Sequence, residues 1–331
     1  MSQPMPSWQR PGMLLAVQDL NVWFDLGEGS TLHAVQDVSF TLDEGQRFGL
    51  VGESGCGKTT SILALMGLLP PTAEVSGKIL LDGVDILADG ERSLRPHRWS
   101  DIAMVFQGAM NALNPVKRVG NQIVEPMVIH GYAEGEAAEN RAKELLELVG
   151  IPADRVNRYP HELSGGMRQR AAIAMSLACE PRILLADEPT TALDVMVQAQ
   201  ILQLLVRLSQ ELGLALILVT HDLPAVSEVC PDAAVMYAGE IVENGTMDDL
   251  FHDARHPYTR RLFSATPDLY GQEEVASIPG APPRLDHDIV GCPFRPRCDS
   301  AFDRCEVDRP ELLEVESGHL AACLLNEEGG R

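Results

Sequence analysis

Hydrophobic positions along this chain follow two different rhythms. Residues 14–24 and 34–42 mix apolar and polar side chains over short runs and read as two strands joined by a Gly/Glu/Ser turn. Residues 78–81 and 84–87 flank Asp82-Gly83, a dipeptide suited to the positive φ angles of a tight hairpin. Four short runs, 48–51, 102–106, 183–186 and 214–219, are apolar throughout, as strands buried on both faces of a parallel sheet must be. Between them the period changes to that of helices. Residues 61–69 read as the start of a buried helix, 119–150 as mostly helical, 167–178 as a packed helix of small apolar residues, and 195–212 as a long amphipathic helix. Residues 235–242 read as a late hairpin strand. Strands alternating with helices predict an open α/β sheet wrapped by helices.

The character changes from His256, where the chain becomes proline-rich, short-looped and cysteine-bearing, so a domain boundary is expected near residue 255. Residues 1–12 read as a disordered lead-in. At 331 residues the length suits two domains, and 45% hydrophobic residues supply a large core.

Charge narrows the classes of partner. The formal net charge of −22 opposes sequence-independent nucleic-acid binding, which needs clustered Lys and Arg, and direct docking on an anionic membrane surface. The longest notable apolar run, 212–219, falls far short of the ~20 residues of a membrane span. The first residues lack the charged-then-apolar layout of a secretory signal, so the chain is expected in the cytosol. There its seven cysteines are not expected to form disulfides. Cys56, Cys179 and Cys230 are scattered, whereas Cys292, Cys298, Cys305 and Cys323 crowd the end as C-x5-C-x6-C-x17-C.

The chemistry centres on Gly52-Glu53-Ser54-Gly55-Cys56-Gly57-Lys58-Thr59-Thr60, which reads G-x-x-x-x-G-K-[ST] between an apolar strand and a helix. Glycines let successive backbone N–H groups turn inward on phosphate oxygens, and the helix N-terminus adds its positive dipole. Lys58 would reach the β- and γ-phosphates, and the Thr59 hydroxyl would bind Mg²⁺. A nucleoside triphosphate is the expected ligand. Cys56 would fill space in the loop and expose it to thiol reagents. Upstream, Phe24 and its neighbour Trp23 offer an aromatic ring that either packs in the core or stacks on adenine. Ser164-Gly165-Gly166 opens a helix, either as a plain cap or as a second anion site. Asp187-Glu188 ends one apolar strand and His221 follows another, so a parallel sheet would bring them to the same edge as the loop, where ligands bind.

Phosphate loop, Gln107 at a strand end, Ser-Gly-Gly, Asp-Glu, Ala192-Leu193-Asp194 and His221 occur in one order. That set resembles the nucleotide-binding subunit of ABC transporters over about residues 13–250. The resemblance implies a RecA-like core, an antiparallel β subdomain and a helical subdomain at about residues 108–180. It implies ATP and Mg²⁺, with the loop residues and Lys58 on the phosphates and Thr59, Gln107 and Asp187 at the metal. Glu188 would polarise the attacking water, and His221 would contact the γ-phosphate. Ser164, Gly165 and Gly166 would bind ATP held by a second ATPase subunit, itself or a paralogue, in a head-to-tail dimer. Met167 stands where glutamine is most often seen.

Segments 101–107 and 111–115 (NALNP), together with His256-Pro257-Tyr258-Thr259 and 278–283, are similar to the oligopeptide/dipeptide importer ATPases. So is the tail from Gly291 to Cys298. This branch implies an ATPase domain at 13–255 and a family extension at 256–331. Its partners would be two transmembrane permease subunits and, indirectly, an extracytoplasmic substrate-binding protein, which would keep the chain at the cytoplasmic face of the membrane. Another cargo, an oligosaccharide or a metal complex, fits the same engine, and a soluble non-transport ATPase is a further alternative. Four thiolates in a short loop-rich module suit a [4Fe–4S] cluster or a tetrahedral Zn²⁺, against the plainer reading of four reduced thiols.

Overall fold

The computed structural model describes residues 12–27, 29–108, 112–264, 278–287 and 289–327. Almost all of the expected lead-in, and Asn111 of the NALNP segment, lie outside the described residues. In chain order the strands are β1 (Met13–Gly27), β2 (Ser30–Asp43), β3 (Arg47–Val51), β4 (Ala73–Leu81), β5 (Val84–Asp85) and β6 (Ile102–Val105). They continue with β7 (Ile183–Asp187), β8 (Ala215–Thr220), β9 (Asp232–Tyr237), β10 (Glu240–Thr246), β11 (Leu313–Glu316) and β12 (His319–Ala321). The first five helices are α1 (Lys58–Met66), α2 (Glu91–Leu94), α3 (Val119–Ile129), α4 (Gly135–Leu148) and α5 (Gly165–Ser176). The others are α6 (Val195–Leu212), α7 (Leu223–Val229), α8 (Met247–His252), α9 (Pro257–Ser264) and α10 (Arg304–Val307).

The chain divides into two compact units. Among the described residues, one gathers those up to Leu42, Phe48–Ala88 and those from Thr220 onward; the other gathers Asp43–Arg47 and those of Asp89–Val219.

The first unit holds a sheet of order β2-β1-β4-β5. β1 and β4 run antiparallel from Leu15 opposite Leu81 to Phe24 opposite Ala73. Asp82 and Gly83 take φ of 49° and 79°, so the predicted hairpin turn forms. In the same unit β3 pairs in parallel with β9, and β9 pairs antiparallel with β10. The run 235–242 is thus no single strand: it spans parts of two, reversed at Ala238-Gly239 with φ of 52° and 87°. The cysteine-bearing tail also adds structure that its loop-like composition hides. β12 pairs with β10, with Glu243 opposite Ala321, and β11 pairs with β12.

In the second unit β6, β7 and β8 lie in parallel, with Val105 opposite Ala186 and Asp187 opposite Val219. Every residue of β7 and β8 is buried, which is why both runs lack polar alternation. α6 buries Ile201, Leu204, Leu205 and Leu208 at helical spacing. Its bounds are chemical. The Asp194 side chain accepts from the Val197 N–H, and Gly213 ends the helix with φ of 66°. The expected helical stretch 119–150 is two helices, α3 and α4, with Gly131 at φ 67° in the break. Among the described residues no helix is long and apolar enough to cross a membrane.

Candidate functional site

In the first unit, buried β3 delivers the chain to Gly52. A Cβ there would sit 2.2 Å from the Met236 carbonyl oxygen, so only glycine lets the loop leave the strand at this point. Gly57 caps α1 in a left-handed conformation, and the helix starts at Lys58, three residues before the apolar pattern becomes legible. Lys58 is 5% exposed. It donates to the carbonyl oxygens of Gly52 at 2.7 Å and Glu53 at 2.9 Å, and lies 3.6 Å from Cys56 Sγ. Ser54 and Gly55 are exposed, and Thr59 and Thr60 are half-buried at the first turn of α1. Burial pushes the Cys56 thiol up despite the ammonium beside it, so this cysteine is a packed, sluggish thiol.

Phe24 is half-buried near the end of β1. Its neighbour Trp23 stacks on His33, with ring centroids 4.5 Å apart. Exposed His221 directly follows β8, and next to it Asp222 caps α7 by accepting from the Ala225 N–H.

The second unit brings three predicted residues together. Asp187 is buried at the end of β7 and Glu188 follows at φ 43°. The Glu188 N–H donates to the Val219 carbonyl at 2.8 Å, which ties the turn to β8. Gln107, beyond the end of β6, donates from Nε2 to Glu188 Oε2 at 2.8 Å. The Thr191 hydroxyl donates to the same oxygen at 3.0 Å. Ser164 caps α5, its Oγ accepting from the Met167 N–H at 3.3 Å, and Gly165 and Gly166 form the first turn. An anion at this turn would meet backbone N–H groups and the helix dipole.

A family model described as ABC transporter matches residues 35–191, and one described as oligopeptide/dipeptide transporter, C-terminal region, matches residues 242–305. A probable peptide ABC transporter ATP-binding protein of Sinorhizobium fredii is 47% identical over 98% of this chain and 98% of its own length. An oligopeptide transport ATP-binding protein of Haemophilus influenzae is 43% identical over 95% of this chain and 98% of its own length. This chain belongs to the ATP-binding subunits of oligopeptide/dipeptide ABC transporters. A solved dimeric ATP-binding cassette in a post-hydrolysis state, bound to ADP and Pi, agrees in fold. It is 30% identical with a TM-score of 0.63, covering 71% of this chain and 99% of the other.

The C-terminal region of this transporter subunit gathers the four late cysteines. Cys292, Cys298, Cys305 and Cys323 line one cavity together with His256 and Phe294. Its volume is about 20 Å³. That space takes roughly one water molecule, not four irons and four sulfides. Among the described residues no group of three or more His, Cys, Asp or Glu side chains is arranged to hold a metal ion. Burial pushes the Cys292 and Cys323 thiols up to about 11 and raises Cys298. The cysteines converge as their crowding in sequence suggested, but the structure does not support the iron–sulfur or zinc reading.

Two residues of this region reach the phosphate loop, and sequence reading assigned them no role there. Tyr258 Oη accepts from the Glu53 N–H at 3.0 Å. Arg297 forms a two-pronged ion pair with the Glu53 carboxylate at 2.6 and 3.0 Å. Neither has a local signal, because the partners lie 205 and 244 positions away.

Proposed function

We propose that this chain is the ATP-hydrolysing subunit of a peptide importer, working as one half of a head-to-tail dimer with a second ATPase subunit. The observation that carries the reading is the Gln107–Glu188 hydrogen bond beyond the carboxyl ends of β6 and β7. A carboxylate fixed by an amide donor at a strand end is the arrangement that orienting an attacking water requires. The names of the relatives supply the cargo class.

In this reading Lys58 and the amides of Gly52 to Thr60 hold the phosphates, with Phe24 against the adenine. Thr59 and Gln107 would hold Mg²⁺, whose preference for hard oxygen donors they suit, and buried Asp187 would act on it through water. The Gln107 NH₂ is committed to Glu188, so the amide oxygen is the end that would meet the cation. Mg²⁺ would neutralise charge on the transferred phosphoryl group. Glu188 takes the proton of the attacking water, and His221 steadies the γ-phosphate. Ser164, Gly165 and Gly166 cover the nucleotide held by the partner. ATP binding closes the dimer and hydrolysis reopens it.

Residues 13–255 would form the engine, and 256–331 the branch-specific extension. The chain would sit at the cytoplasmic face of the membrane through two permease subunits, supplied with peptide by an extracytoplasmic binding protein. For the late cysteines the favoured state is four reduced thiols. Anaerobic purification with iron, sulfide and zinc analysis tests it, and stoichiometric iron with sulfide would reverse it in favour of a [4Fe–4S] cluster.

The deciding experiment reconstitutes the chain with its two permeases and binding protein in proteoliposomes. ATP-dependent uptake of a labelled oligopeptide is expected. Uptake of an oligosaccharide or a metal complex but no peptide would overturn the cargo; no coupled uptake of any solute would overturn the importer.

A further inference from the structure

The Glu53 residue of the phosphate loop is held on three sides. Its N–H donates to Tyr258 Oη, its carbonyl oxygen accepts from Lys58 Nζ, and its carboxylate accepts both prongs of Arg297. Two of the three partners come from the C-terminal region.

Arg297 is 6% exposed, and each of its five guanidinium N–H donors has an acceptor. Nε donates to the Pro279 carbonyl at 2.9 Å. Nη1 donates to Glu53 Oε2 at 2.6 Å and Tyr237 Oη at 3.5 Å. Nη2 donates to Glu53 Oε1 at 3.0 Å and the Ile278 carbonyl at 3.3 Å. A lysine has three donors and no planar fork, so it could not reproduce this set. The Glu53 carboxylate and the other acceptors hold the guanidinium charged, and burial keeps the Tyr258 hydroxyl protonated.

The support is aromatic. The Tyr237 ring packs on Tyr258 at 4.6 Å and Phe294 at 5.3 Å, and the Arg297 guanidinium lies 5.8 Å from its centre. Phe294 and Arg297 both fall between Cys292 and Cys298, so the cysteine segment and the loop share one packed cluster.

We propose that Arg297 and Tyr258 are positioning residues of the phosphate loop, acting through Glu53 to set the backbone that Lys58 and the phosphates use. The inference rests on the ATP-binding reading above. It makes the C-terminal region part of the nucleotide site rather than a passive appendage.

Interelement glue would lower thermal stability and leave the affinity of the folded protein alone; positioning changes both. The test is a fluorescence titration with MANT-ATP on the full chain, paired with a thermal midpoint for each variant. Tyr258→Phe, which deletes one oxygen, should weaken binding roughly fivefold, the value of one hydrogen bond. Arg297→Ala should weaken it roughly tenfold or more, and Arg297→Lys nearly as much, because the fork rather than the charge is required. Glu53→Ala combined with Arg297→Ala should be no weaker than the worse single variant, since both act through one contact.

Affinity within twofold of wild type in folded Tyr258→Phe and Arg297→Lys would overturn the inference, as would additive losses in the double variant. Should Arg297→Ala fail to fold, Tyr258→Phe and Arg297→Lys decide. Lys58→Ala is the control. If wild type and Lys58→Ala fail to bind alike, the ATP reading itself is wrong and this inference goes with it.

Discussion

Gln107 Nε2 and the Thr191 hydroxyl both donate to Oε2 of Glu188, at 2.8 and 3.0 Å. Two donors on one oxygen restrain the carboxylate, whose oxygens are the acceptors for a proton from water. Glu188→Gln keeps the shape and removes the acceptor. ATP turnover should fall by roughly 10²–10⁴-fold, while MANT-ATP affinity stays within twofold and the dimer accumulates with ATP. Turnover close to wild type would remove Glu188 from the role of base.

Much of this arrangement was legible because its causes are local. A capping Asp194 and a stopping Gly213 bracket α6, and both can be read in place. The fully apolar runs of β7 and β8 announce burial on both faces. Gly52 to Thr60 announces an anion-binding loop, since the required backbone turn and ammonium come from neighbouring residues. The illegible parts depend on long-range closure. The pairing of β12 with β10 joins residues some 78 positions apart, taken from Glu243 and Ala321. The hold of Tyr258 and Arg297 on Glu53 spans more than 200 positions. No periodicity encodes such partners. The cysteine spacing was legible but misleading, because spacing says nothing about the room left between the thiols.

His256 makes the C-terminal region sensitive to acid. It is buried, and its Nδ1 accepts from the Tyr258 N–H, so that nitrogen must be unprotonated. Burial, with Arg260 nearby, lowers its pKa from 6.5 to about 3. The unfolded chain therefore binds a proton that the folded chain refuses between these values, and stability is full above pH 6.5 and lost on acidification. The histidine should cost about 1 kcal/mol for each pH unit by which the solution falls below 6.5. Urea denaturation across this range checks it against His256→Asn. Asparagine can still accept from the Tyr258 N–H, so that variant should be less stable at neutral pH but fall less steeply. Parallel pH slopes in the two proteins would exclude His256 as the cause.

The late cysteines should be chemically quiet in the folded protein. Cys292 and Cys323 are pushed up to about 11 by burial, with neighbouring thiols adding to the shift. At pH 8 roughly one molecule in a thousand carries either thiolate. Iodoacetamide should therefore label both slowly at pH 8 and much faster in urea, read peptide by peptide by mass spectrometry. Native labelling as fast as that of the denatured chain would contradict the burial described here.

The glycines of the phosphate loop should not be interchangeable. Gly55 and Gly57 both take positive φ, at 81° and 105°, so alanine is strained at either position. They differ in what surrounds them. A Cβ on Gly55 meets nothing within 4 Å, whereas one on Gly57 would lie 2.6 Å from the Ala34 carbonyl oxygen. That oxygen belongs to β2 and cannot swing aside as a side chain would. Gly55→Ala should therefore cost about 1 kcal/mol, the conformational strain alone. Gly57→Ala adds a backbone clash where α1 begins and should cost about 3 kcal/mol or more. Urea midpoints of the two variants measure the difference, and equal losses would show that β2 yields at Ala34.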